Sequence, residues 1–149
     1  MNIKKLLIAS VLGVSCLNIS AADCTKDQAK ESVEKMCALI ASKGKAAIPE
    51  VAKYRFCGSN YVWVQDKDVN MVLHPIKRRL NGKSLKANKD ENGKVLFVEF
   101  DKAANANPDG GWVDYVWAKP GAEKATPKVS YIKKCGGDTG WIAGAGVWK

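Results

Sequence analysis

An apolar run from Leu6 to Leu17, preceded by Lys4 and Lys5 and closed by Ser20, Ala21 and Ala22, fixes where the rest of the chain must fold. Charged, apolar and small-residue regions in that order form a secretory signal. The run is shorter than the roughly 20 apolar residues of a membrane-spanning helix. The expectation is therefore a cleaved signal over residues 1–22 and one domain over residues 23–149, in a periplasmic or secreted location. Lipidation at Cys16 is a second possibility, although Gly13 stands where a lipoprotein signal carries a large aliphatic residue. No second apolar run follows, so no membrane span is expected in the mature chain.

Export into an oxidising compartment constrains the fold through the cysteines that remain. Cys24, Cys37, Cys57 and Cys135 are even in number, and disulfides are their default state there. Thr25 and Gln28 form a capping box, after which Ala29, Val33, Met36, Cys37 and Ile40 repeat at helical spacing up to Gly44. In one continuous helix Cys24 and Cys37 stand about 20 Å apart, whereas a disulfide needs Cα atoms within roughly 7 Å. Those two do not pair with each other, and the remaining connectivities stay open.

The rest of the chain alternates short strands with turns. A second short helix is expected from Pro49 to before Cys57. Tyr61–Gln65 and Met71–His74 read as a hairpin about the turn Asp66–Asn70, and Pro75 ends its second strand. The segment from Ile76 to Gly93 is polar loop, and Val95, Leu96, Val98 and Phe100, continuing to Ala106, read as a helix. Trp112–Trp117, Lys128–Lys134 and Trp141–Trp148 are three strands separated by Pro120-Gly121 and Gly136-Gly137. Helix, two strands, an insertion and three strands imply an α+β domain with one antiparallel sheet.

Several function classes recede on composition. The formal charge is +9, falling to +7 without Lys4 and Lys5, but the basic residues are dispersed. The longest cluster is Lys77, Arg78 and Arg79, which reads as solvated surface and not as a nucleic-acid footprint. His74 is the single histidine, so a zinc site lacks ligands, and a cysteine or serine nucleophile has no other histidine to act as its base. No CxxCH motif is present for haem. The glycines of GWIAGAGV have no helix after them and so do not form a phosphate loop. No catalysis and no cofactor are expected.

RFCGSNYVWVQD (residues 55–66), MVLHPIKRRLNGKSL (71–85), GWVDYVWAKPG (111–121), PKVSYIKK (127–134) and GWIAGAGVWK (140–149) together resemble the single Cache domains. These are extracellular relatives of PAS sensor domains, and the likeness is to the second single-Cache class, found in chemoreceptors and as free-standing periplasmic proteins. The resemblance implies a PAS-like five-stranded antiparallel sheet, with the long N-terminal helix on one face and the insertion between strands two and three over the other, enclosing a ligand cavity. Family ligands are small organic molecules, commonly carboxylates such as acetate, propionate, lactate or pyruvate. The family's helix after the last strand is missing before Lys149, so the expected form is a released module without a receptor's own span. Cys57 and Cys135 also depart from the family's small or apolar residues. The resemblance makes strands one and five neighbours and so implies a Cys57–Cys135 bridge, which leaves Cys24 and Cys37 over.

A cavity for a small carboxylate needs a cation or strong donors and apolar walls. Strand alternation puts Tyr61, Trp63 and Gln65 on one face and Val62 and Val64 on the other. The valines suit the helix and the aromatics the cavity. Tyr61, Trp63, Tyr115, Trp117 and Tyr131 are expected walls and hydroxyl donors, with His74 beside the pocket. Lys128, in PKVSY, is the expected carboxylate partner, followed by Arg55 and Arg78. The expected partners are the organic ligand and a membrane chemoreceptor or sensor kinase. Two alternatives stand: an envelope protein that docks on a partner through a vestigial pocket, and a small secreted hydrolase with His74 beside a nucleophile.

Overall fold

The computed structural model describes residues 24–149, and the expected signal segment with Cys16 lies outside them. α1 (Lys26–Lys43) starts where the capping box places it. The Thr25 side chain accepts from the Gln28 backbone N–H, and the Gln28 side chain accepts from the Thr25 N–H at 2.9 Å. Its buried stripe of Ala29, Val33, Met36, Cys37 and Ile40 recurs at three- and four-residue intervals. A single 3₁₀ turn leads to α2 (Ile48–Lys53), with Pro49 in its first turn. β1 (Val62–Gln65) and β2 (Met71–Leu73) form the expected hairpin, and α3 (Leu96–Ala106) ends the insertion that follows. β3 (Gly111–Ala118), β4 (Ala125–Lys134) and β5 (Ile142–Trp148) complete one antiparallel sheet in the order β2-β1-β5-β4-β3. Among the described residues, no helix is long and apolar enough to cross a membrane.

The two sheet faces build two different cores. Val62, Val64, Ala143, Ala145 and Tyr131 pack with Val33, Met36, Cys37 and Ile40 of α1. The opposite face carries Tyr61, Trp63, Tyr115, Ile132 and Ile142, covered by Leu80, Leu85, Leu96, Phe97 and Phe100 of the insertion. Small residues on β5 give the second core its depth. A Cβ at Gly144 would overlap the Trp63 indole, which lies directly on that strand. Gly144→Ala is therefore expected to cost roughly 1–3 kcal/mol, the usual penalty of overpacking, as a lower urea midpoint.

The disulfides correct the expected pairing. Cys24 bonds Cys57 and Cys37 bonds Cys135, with Cα separations of 5.6 and 4.7 Å. β1 and β5 are neighbours as expected, but strand direction separates Cys57 from Cys135. Val62, at the start of β1, pairs with Ala145, whereas Ile142 pairs both with Gln65 and with Lys134 at the end of β4. Cys57 thus lies at one end of the sheet and Cys135 at the other. α1 runs from the first end to the second, and the rise of about 20 Å between Cys24 and Cys37 matches that span. Both bridges fasten α1 to the sheet.

Candidate functional site

Between the sheet and the insertion lies an internal void of about 10 Å³, lined by Tyr61, Trp63, His74, Leu96, Phe97, Phe100, Tyr115 and Trp117. That is the space of about one water molecule. The alternation of β1 and β3 brings Tyr61, Trp63, Tyr115 and Trp117 to it, and the end of β2 delivers His74. The α3 aromatics complete it. Phe100 stacks on Trp63 at 4.8 Å, and Phe97 meets Trp63 and Trp117 edge-on. The resemblance places the insertion over the cavity, but neither Phe97 nor Phe100 is among the expected site residues. The signal was present, because Phe97 and Phe100 share one helical face at i,i+3.

His74 is held in one tautomer by its own turn. Its Nδ1 accepts from the backbone N–H groups of Lys77 (2.9 Å) and Ile76 (3.3 Å), so the neutral ring carries its proton on Nε2, which faces the Tyr61 hydroxyl at 3.4 Å. Burial, reinforced by Lys128 and Lys77, pushes His74 down to about 3, so the ring is neutral at physiological pH. Burial raises both Tyr61 and Tyr115, which remain protonated phenols. Tyr115 shares a hydrogen bond of 2.9 Å with Ser130 on the adjacent strand.

Lys128 pairs in register with Tyr115 on one side and Trp148 on the other, and only 2 % of it is exposed. Its Nζ lies 3.8 Å from the Trp148 ring centre and 4.8 Å from that of Tyr61. It therefore stands immediately behind the Tyr61 wall and does not itself line the void. Among the described residues no carboxylate forms a salt bridge with it; the ion pairs of the domain lie on exposed side chains. Burial, with repulsion from Lys77 second, lowers its ammonium to about 7.

The other expected site residues are elsewhere. Tyr131 is on the α1 face of β4, one residue out of phase with Lys128 and Ser130, and its hydroxyl donates to the Asp109 carbonyl. Arg78 is exposed in a 3₁₀ turn (Arg78–Leu80) and borders an open surface groove. Arg55 is exposed and donates to the carbonyls of Ala52 and Tyr54. Lys77, read from sequence as plain surface, instead sits 3.9 Å over the Trp117 ring. Trp117 borders both the void and an outer groove of about 220 Å³ that Lys77, Arg79 and Asp90 help to line. Among the residues lining the void, it is the one that also lines this groove.

Comparison with known proteins places this geometry among sensors. A family model described as Cache domain matches residues 19–149. The chain is 35 % identical over 102 residues, 68 % of its length, to the methyl-accepting chemotaxis protein McpP of Pseudomonas putida KT2440. It spans only 18 % of that receptor's length. A solved periplasmic sensor domain of a chemotaxis protein superposes with a TM-score of 0.69 at 32 % identity, covering 80 % of this chain and 89 % of that one. A Cache chemosensory domain, solved as the structural basis for carboxylic acid recognition, superposes with a TM-score of 0.74 at 26 % identity, covering 83 % and 92 %.

Proposed function

Because the chain belongs to the Cache domain family, whose members are sensory, non-catalytic modules, we propose that it binds a small organic carboxylate between the sheet and the insertion and reports it without conversion. The observation that carries this reading is Lys128. A buried ammonium with no carboxylate beside it is costly, and the cost disappears if the partner arrives with the ligand. His74 supplies a fixed Nε2–H and Tyr61 a hydroxyl for further hydrogen bonds. The void walls are otherwise apolar and aromatic, which suits a short hydrocarbon tail.

A void of about 10 Å³ admits no carboxylate until a side chain moves. Trp117, half-buried, borders both the void and the outer groove, and its displacement together with that of the Tyr61 ring, which stands between the void and Lys128, opens a path to the ammonium. We further propose that the domain acts in the periplasm or outside the cell after removal of residues 1–22, with a membrane chemoreceptor or sensor kinase as its partner. The kinship with McpP supports that setting.

The tight aromatic filling favours a second reading, a docking protein whose pocket is vestigial. Lys128 argues against it, since a closed core is more stable with an apolar residue there. A thermal-shift screen against acetate, propionate, lactate, pyruvate, amino acids and amines separates the two. A ligand bound only by the folded state raises Tm by mass action. Carboxylates are expected to raise it at millimolar concentration, and no shift with any compound would favour the docking protein.

A further inference from the structure

We propose that the chain takes up a proton at Lys128 whenever it takes up a carboxylate from neutral or alkaline solution, so that occupancy reports pH as well as ligand. The inference rests on the carboxylate reading above and adds a regulation to that site. Its basis is the composition of Lys128's surroundings. β1 presents the Tyr61 ring, β5 the Trp148 ring and β3 Tyr115; the turn after β2 presents His74 and Lys77. Farther out, Arg55 acts on Tyr61, and Arg79 and Glu91 act on Lys77. Every formal charge facing Lys128 at short range is thus positive or absent.

A cation so placed gives up its proton easily, and a bound carboxylate restores it. The ring neighbours do not titrate with it, and Lys77, whose own ammonium burial also lowers, is the remaining group to control. His74 is already neutral, and the raised phenols of Tyr61 and Tyr115 keep their protons. Short carboxylic acids are fully ionised above about pH 6, given carboxyl values near 4. Between pH 6 and pH 9 the pH dependence of binding therefore belongs to Lys128, with Lys77 modulating it by repulsion. The sign follows from linkage: if the bound state holds the proton and the free state loses it near 7, affinity falls as pH rises. The fall from pH 6 to pH 9 is about 100-fold.

The test is calorimetric titration of the purified chain with propionate, acetate and pyruvate in HEPES and in Tris, whose ionisation heats differ. Uptake of about 0.9 proton per ligand at pH 8 and about 0.1 at pH 6 is expected. Lys77→Met, which removes the repelling charge, is expected to move the midpoint of uptake to higher pH. Binding at pH 8 without proton uptake would overturn the inference and leave the carboxylate reading standing. Absence of binding by all three probes at pH 6 would overturn that reading, and the inference with it. A ¹³Cε titration of Lys128 without ligand gives a separate check: a midpoint above 9 would equally overturn the proposal.

Discussion

Lys128→Met is expected to abolish carboxylate binding while leaving the domain at least as stable as before. The two effects have opposite signs because one group causes both. Truncating one partner of a buried charge pair weakens binding by about 2–5 kcal/mol, a loss of roughly 30-fold to several-thousand-fold. In the protein alone, however, Lys128 is a burden. The unfolded chain keeps its proton up to 10.5, whereas the folded chain releases it near 7. Below about pH 7 the folded state therefore carries the whole penalty, on the order of 5 kcal/mol. As pH rises toward 10.5 the penalty fades, so stability increases across that window. The Met variant, which fills similar volume without charge, is expected to exceed the natural chain in urea midpoint most at pH 6 and least near pH 10. A variant that lost stability at pH 6 would show that Lys128 has a partner the carboxylate reading denies it.

The largest effect on folding is expected at the second disulfide. Cys37–Cys135 closes a sequence separation of 98 residues, and Cys24–Cys57 one of 33. On loop entropy the two contribute about 4–5 and about 3–4 kcal/mol respectively. Cys37 and Cys135 are also buried in the core beneath α1. Replacing both by alanine adds the loss of that packing, so this double variant is expected to unfold at a markedly lower urea concentration than the Cys24/Cys57 double variant. Equal losses from the two would indicate that α1 is held by its apolar stripe and not by the bridge.

The contrast between these bridges shows which parts of the molecule could be read from local sequence. The start of α1 was legible because the capping box is a four-residue signal, and the turn beyond β1 because Asp66 organises it alone, accepting from Asp68 and Asn70. The two faces of β1 were legible because strand alternation needs only neighbouring residues. The disulfide pairing was not, because it depends on which end of the sheet each cysteine reaches. That follows from the β4–β5 register and from the pairing of β1 with β5, strands far apart in the chain. Tyr131 failed for a different reason, since alternation along β4 is a local signal that already sets it on the opposite face from Lys128. A tyrosine in a strand proposed to face the pocket points away from it, because Lys128 sets the phase of β4 and Tyr131 falls three residues later. Arg78 and Lys77 are adjacent in a basic cluster, yet only Lys77 folds onto Trp117. Composition treats them alike, and the backbone turn at His74-Pro75 distinguishes them.

Phe97 and Phe100 illustrate a different limit. The helix is read from Val95, Leu96, Val98 and Phe100 and the helix formers that follow to Ala106, and its place over the second sheet face comes only from the family resemblance, because nothing local says which face a helix covers. In the structure α3 lies on the aromatic face, opposite α1, and so its phenylalanines close the void.

Recognition of a carboxylate by a buried cation is tested most directly by titrating the purified chain at pH 6.5 with propionate and with propanamide, which has nearly the same shape and no charge. Propionate is expected to bind and propanamide to bind at least about 30-fold more weakly, on the energy of a buried charge pair. Equal affinity for the two, or preference for the amide, would contradict the account.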